Sequence, residues 1–500
     1  MKASIDPEVA WLRVHAWGPK VHGKAKQVIS SLKHVQAVPH FVRVRRDESP
    51  RRLSQRLRVA FEPSWLQIPR GSSPMVDKSS INKGTGLLGR VRDEFSFIHG
   101  NFLLLIVSWL IVDFFSELPG TYFPLYVKAL GGTAASLGII GAAEAIARGL
   151  VQIPGGYVAD RYGRKWIITT MTALAGVSRI LYIFAPTWEW IVLGAVLMGF
   201  TGIYGPALEA LIADSLPAER RGMGFGIVRL ISSVSTTPSP LIAGFLYLRI
   251  GLMPTMRLSY ALATVGFLAA AALRIRLKET LEKPEKIKLT EMTAIYPTSI
   301  RESVRIWRVV PSDAFNLFVS QVLTMFTVGM FMPVFVLYMV EDLGINEFEL
   351  SLIMASMFIT MIIFALPTGK LVDIIGKKRP LLASYVFWAA AVPLFLYGDF
   401  WRLILGMTLV GVLQVLIGSA GAAWTADLVA SEHRGRVNGS TGLFSMVAAS
   451  VGQLLGGWLY DNMSHSLPFM LQIVFMVPPL LLVLLRTKEE RKSQGKTKSP

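Results

Sequence analysis

The chain has no cysteine and little charge. Without cysteine, neither a disulfide nor a thiolate metal site can form. Charged residues are only 17% of the total, where soluble chains carry about a quarter. Histidine is sparse: His15, His22, His34 and His40 lie in the first forty positions, and His99, His433 and His465 stand far apart, with no His-Glu-x-x-His pattern. No Gly-x-x-x-x-Gly-Lys-Ser/Thr loop is present to cradle ATP phosphates, and no Gly-x-Ser-x-Gly elbow to hold a nucleophile. An ATP-driven pump and a hydrolase are therefore disfavoured. The chain is expected to be no enzyme, to use no cofactor and to hold no metal.

What the chain has instead is apolar length. Hydrophobic residues are 52% of its 500 residues, and mean hydropathy is +0.48. A helix needs roughly 20 mostly apolar residues to cross a bilayer. About twelve such stretches can be read, near 101–127, 136–157, 166–186, 189–213, 224–249, 255–275, 314–340, 348–369, 380–398, 401–426, 437–460 and 466–486. The expected fold class is an all-α membrane protein.

The formal charge of +18 would suggest nucleic acid in a soluble protein, but its placement argues for lipid. Arg161, Arg164 and Lys165; Arg220 and Arg221; Lys377, Lys378 and Arg379; and Arg434 and Arg436 sit in short loops. These alternate with loops poor in Lys and Arg, such as Glu341-Asp342-Leu343-Gly344. That is the positive-inside pattern. It places both termini and the central loop in the cytoplasm of a multi-pass protein of the cell membrane, with no nucleic-acid partner.

The expected domains are a basic tail over 1–95, a six-helix bundle over 96–275, a cytoplasmic linker over 276–313, a second bundle over 314–486 and a tail over 487–500. Within the linker, Ser299 to Val309 has apolar and basic residues at helical spacing, which suits a membrane surface. The first 95 residues hold no spanning segment and no signal-peptide core. Met75 opens a plausible alternative start about 25 residues before the first span, so residues 1–74 are a candidate non-native extension that N-terminal sequencing would test.

The strongest signal is an internal repeat. Gly156, Asp160, Gly163, Arg164 and Lys165 recur 213 positions later as Gly369, Asp373, Gly376, Lys377 and Lys378. Asp214, Glu219, Arg221 and Gly226 recur at the same offset as Asp427, Glu432, Arg434 and Gly439. Gly244, Leu246 and Tyr247 recur as Gly457, Leu459 and Tyr460. One register held over about a hundred residues marks two related halves. Six crossings return the chain to the same side, so the repeats are parallel.

With its Gly-x-x-x-Asp-Arg-x-Gly-Arg-Lys loop after the second span, this arrangement resembles the major facilitator superfamily over about residues 100–486. The second half departs from the motif by carrying Ile374 in place of Arg161. The resemblance implies a transporter whose halves rock about a midplane cavity, and a monomer. It also implies an inner latch of salt bridges and helix-end contacts holding the halves together when the protein faces outward. The latch candidates are Gly156, Asp160, Arg161, Gly163, Arg164, Lys165, Asp214, Glu219 and Arg221 in the first half. Their counterparts are Gly369, Asp373, Gly376, Lys377, Asp427, Glu432 and Arg434. Simple topology explains the basic residues but not an Asp retained among them.

Ionisable groups inside spans are costly and mark function. Asp113 and Glu117 share a face of the first span, Glu144 and Arg148 share one of the second, and Arg179 lies in the third. Three carboxyls against two guanidiniums leave one carboxyl over. Desolvation and like-charged neighbours favour a protonated carboxyl, as a proton carrier requires, and Asp113 or Glu117 is the candidate. A fully paired structural network is the plainer alternative. Glu209 and Arg229 form a candidate inner pair nearer the cytoplasm. The second half offers Gln321, Gln414, Trp388, Trp424 and several Met as a candidate cavity, an adaptable apolar wall if they are not plain core.

Drug–proton antiporters of the resembled superfamily carry a Gly-Pro motif in the fifth span. This chain has Ser239-Pro240 there and Gly452-Gln453 in the second half. The expected function is proton-coupled export of a lipophilic or cationic small molecule. The alternatives are proton-coupled uptake of a sugar or anionic metabolite, with Arg148 and Arg179 as anion ligands, and a non-transporting membrane sensor.

Overall fold

The computed structural model describes residues 95–161, 163–217, 220–281 and 300–489, apart from the side chains at positions 153, 156, 157, 159, 160, 221, 222, 229, 366, 373, 431 and 432. The basic tail, most of the linker and the last residues therefore lie outside the description.

Eleven helices among the described residues are long and apolar enough to cross a membrane. The fifth of the expected spans is absent from that set because it is made of two shorter helices, Arg221–Thr236 and Ser239–Ile250. Pro238 and Pro240 explain the break: neither ring nitrogen can donate to the carbonyl four residues back. Among the described residues there are thus twelve crossings, eleven carried by continuous apolar stretches and one by a broken pair. The bundle has one end bearing the basic loops, here the basic end, and an opposite far end.

Three other crossings of the first half are interrupted. The first is Gly100–Glu117 followed by Phe123–Ala129, with turns over 118–122. The third stops at Ser178 and resumes at Ile180. Around this stop, Arg179 N–H donates to Gly176 O (3.2 Å) and Tyr182 N–H to Arg179 O (3.0 Å), the tighter i to i+3 spacing. The fourth passes from Trp188–Thr201 through a 3-10 turn, Gly202–Tyr204, into Gly205–Asp214.

The second half is straighter. Ser312–Glu341, Glu347–Ile375, Lys378–Leu396, Phe400–Leu428 and Ser431–Asn462 each run unbroken, and Leu467–Leu481 ends in a π turn, Leu482–Arg486. Glycines let its helices touch backbone to backbone. A Cβ on Gly452 or Gly456 would strike the Phe326 and Met330 carbonyls of the seventh crossing.

The described part of the linker, from residue 300, packs one edge on the second half and leaves Ile300, Val304 and Val309 exposed. Ile306 is buried with Ala314, Val429 and Val437. Trp307 stacks on Phe318 with ring centroids 4.0 Å apart, and its Nε1–H donates to Ser440 Oγ (2.8 Å). The half-buried indole thereby has its N–H satisfied.

Candidate functional site

The halves meet at the far end. The Asp461 carboxylate accepts from the Ala134 (3.2 Å) and Ala135 (2.7 Å) amides that open the second crossing, placing a negative charge on that helix's positive end. Lys128 pairs with Glu341 at 2.5 Å. Tyr122 O–H donates to Glu347 O (2.6 Å). Gly244 makes room for this contact, since a Cβ there would run into Ser351 and crowd the Tyr122 hydroxyl.

At the basic end, the described latch residues bond within their own half. Arg164 pairs with Asp214 and also donates to Thr280 Oγ1 (3.0 Å). Lys377 pairs with Asp427. Arg434 donates to the carbonyls of Val429 (3.0 Å) and Ala426 (2.6 Å). Gly163 and Gly376 turn the chain at φ 89° and 88°, a region open to glycine. Arg161 is exposed, Gly369 is half-buried with open space where a Cβ would stand, and Lys165 lies over the Trp166 ring. Gly156, Asp160, Glu219, Arg221, Asp373 and Glu432 fall outside the described positions or side chains. Glu209 is exposed, and its expected partner Arg229 has no described side chain.

Two further carboxylates brace this end, and the sequence reading did not single them out. Glu279 accepts from the amides of Arg164 (2.9 Å), Lys165 (3.0 Å), Thr280 (3.0 Å) and Leu281 (3.1 Å). Burial pushes this carboxyl up, but its four amide donors outweigh burial and hold it below the usual value. Glu489 likewise accepts from the amides of Lys377 (2.5 Å) and Lys378 (3.2 Å). The signal was present in Arg276-Leu277-Lys278-Glu279 and Arg486-Thr487-Lys488-Glu489, but these stand 210 positions apart and so escape the 213 register.

Of the five charged residues expected at the core, three come together. Glu144, Arg148 and Arg179 line a cavity of about 310 Å³ in the first half with Ser116, Gly120, Phe123, Tyr182, Met198 and Tyr260. Arg148 and Glu144 pair at 2.6 Å. Arg179 is only 5% exposed. It donates to Ala175 O (2.8 Å), Ser116 Oγ (3.0 Å) and Met198 Sδ (3.1 Å), and lies 3.8 Å over the Phe267 ring. Glu117 abuts this wall at Gly120.

Asp113 points elsewhere. Ser232 and Trp109 stand at its carboxyl, and Arg274 acts on it through space. Its Oδ2 is buried with no hydrogen-bond partner among the described residues. Arg274 is 1% exposed and bonded to Ser108 (3.0 Å) and Thr172. The sequence reading did not single out Arg274. Counting it corrects the balance: three guanidiniums now face three carboxyls, and the surplus of acid is gone.

The second half holds a cavity of about 430 Å³ near the basic end, lined mainly by apolar and hydroxyl side chains with Gln321, Tyr385 and Asn438, and with Arg434 among its lining residues. Gln321 is where expected. Trp388 and Trp424 do not line this cavity: they are 4% and 2% exposed and belong to the packed core. Gln414 is exposed and is not among the residues lining this cavity. Both indoles follow from the half's tight packing, which leaves large rings no room but the core.

Comparison with known proteins places this architecture. The family model described as Major Facilitator Superfamily matches residues 105–315 and 317–500. An MFS-type transporter of Methanocaldococcus jannaschii is 24% identical over 374 residues, 72% of this chain and 92% of that one. The multidrug resistance protein MdtG of Escherichia fergusonii is 27% identical over 337 residues, 64% of this chain and 76% of its own. Among solved structures, a peptide transporter, POT, superposes with a TM-score of 0.62 at 15% identity, over 80% of this chain and 96% of that one. At that identity the likeness speaks for the fold.

Proposed function

We propose that this chain, which belongs to the major facilitator superfamily of membrane transporters, is a proton-coupled exporter of lipophilic small molecules. It works by alternating access as a single chain in the cell membrane. The basic end and both termini face the cytoplasm, as the positive-inside pattern argues. The far-end contacts then describe a protein closed to the outside.

The observation that carries this reading is the separation of charge from apolar cavity. The buried carboxyls lie in the first half, while the larger cavity, in the second half, is walled mainly by apolar groups and reached from the cytoplasmic end. A lipophilic molecule entering there meets Gln321 and Tyr385 as polar contacts in a greasy wall. Asp113 is the proposed proton carrier. Its buried Oδ2 lacks a donor among the described residues, and protonation removes the cost of leaving a charged oxygen unsatisfied. Binding of substrate and proton then bias the same rocking equilibrium. The relative named as a multidrug resistance protein supports the outward direction.

The test is reconstitution in vesicles holding a pH dye, with a proton gradient and a panel of lipophilic cations, neutral compounds, organic anions and sugars. Proton movement driven by a lipophilic compound, and lost in the Asp113→Asn, Glu117→Gln double variant, is the expected result. Retained coupling in that variant would remove the first-span carboxyls from the mechanism. Movement driven by sugars alone would overturn the substrate class.

A further inference from the structure

Arg179 is the least explained charge in the molecule. It is buried at membrane depth, and such charges are expensive unless paired or functional. Its three hydrogen-bond acceptors are all neutral: a carbonyl, a hydroxyl and a thioether. Glu144 acts on it through space but is itself paired with Arg148 at 2.6 Å. The side chains that line this cavity therefore carry two positive groups and one negative, an excess of one positive charge in the lining itself, with Glu117 abutting the wall behind Gly120.

A second observation points to a ligand at the same place. The turns over 118–122 in the first crossing and the stop at Arg179 in the third both border this cavity, which Pro119, Gly120, Arg179 and Tyr182 line. Irregular backbone at membrane depth is tolerated where it is buried in protein or lines a cavity, and discontinuous helices are how transporters build substrate sites near the midplane. Three aromatic rings, Phe123, Tyr182 and Tyr260, form part of the wall. Tyr182 and Tyr260 lie with centroids 4.8 Å apart, and Phe123 and Tyr182 6.4 Å apart.

We infer that the first-half cavity binds a monoanionic group carried on a flat apolar body, an aromatic carboxylate being the simplest case, with the guanidinium of Arg179 as its counter-charge. The carboxylate balances the one excess positive charge, and the guanidinium fork matches its two oxygens. The tyrosine rings receive the aromatic part. Ser116, already bonded to Arg179, fixes the fork's orientation. A volume of about 310 Å³ stands at the small end of ligand cavities, so the cavity takes one ring system rather than a large amphiphile. This site goes beyond the exporter reading, which seats its lipophilic substrate in the separate second-half cavity, and it does not depend on that reading.

The experiment is equilibrium binding to the purified full chain in detergent, with benzoate, benzamide and benzylamine as probes of one shape and three charges. Benzoate is expected to bind at least tenfold more tightly than either other probe. In Arg179→Gln its affinity is expected to fall roughly tenfold to a hundredfold, the weight of a charged hydrogen bond, while Arg179→Lys falls less. Equal binding of the three probes, or benzoate binding unchanged in Arg179→Gln, overturns the assignment. Should Arg179→Gln fail to fold, the wild-type ranking of the probes decides alone. No proton gradient enters this measurement, so absence of proton coupling in vesicles would defeat the exporter reading and leave the site standing.

Discussion

The two halves repeat one pattern along the chain but have divided the work of the bundle. In the first half, four of six crossings are interrupted, and Asp113, Glu144, Arg148, Arg179 and Arg274 lie within its spans. In the second, the first five crossings run unbroken, and the buried side chains described there are apolar or neutral. The difference follows from what fills corresponding positions. Those 213 residues after Pro238 and Pro240 are Val451 and Gln453, which keep the helix ladder, and those after Glu144 and Arg148 are Met357 and Met361. A charged, broken bundle can bind ions and change shape; an unbroken apolar one supplies a stiff wall and greasy surface.

That contrast can be broken at Arg274. Arg274→Met should leave Asp113 without its nearby positive charge and destabilise the protein by about 3–5 kcal/mol, the usual cost of stranding one member of a buried charge set. Adding Asp113→Asn should restore much of the loss. Denaturant unfolding in micelles measures both; two additive losses would show that the residues do not interact.

The join between the halves is the next lever. Asp461→Asn should weaken the far-end clasp by about 0.5–2 kcal/mol, the range for a helix N-cap, and shift the population toward a state open at that end. The chain has no cysteine, so a single cysteine placed at Ala134, buried at this end, reports this as faster alkylation. An unchanged rate would mean that Lys128–Glu341 and Tyr122–Glu347 suffice to hold the end closed.

A quieter prediction concerns the second half as plain core. Trp388 Nε1 has no partner among the described residues, so Trp388→Phe should cost no more than about 1.5 kcal/mol, as volume-similar swaps do, and leave transport intact. A large loss of transport would return this ring to the substrate path.

The smallest effect should come from Glu279. Its carboxyl sits below its usual value, so its contribution is present above the unfolded value and lost as pH falls through the folded one. Glu279→Gln should flatten stability against pH on the acid side of the carboxylate range and leave it unchanged in shape near neutrality. Thermal midpoints measured across that range check this.

Much of this was legible in one sequence because lipid imposes a simple code. Apolar length marks crossings, basic loops mark one side, and a shared register of 213 marks the repeat. Glu144 and Arg148 announced their pairing by helical spacing. Arg274 did not announce its burial, because a basic residue in the last turn of a span reads the same whether it snorkels outward or turns into the bundle. Glu279 and Glu489 were hidden by a three-residue slip in the repeat.

The sequence by itself determined the crossings, their sides and the two-fold repeat, since these depend on local hydropathy and on residue order. Only the tertiary structure decided which charges share a cavity, that Asp113 faces Arg274 rather than Arg148, and that Trp388 and Trp424 are core. Those outcomes depend on how helices rotate about their axes when packed, and rotation is set by contacts between residues far apart in the chain.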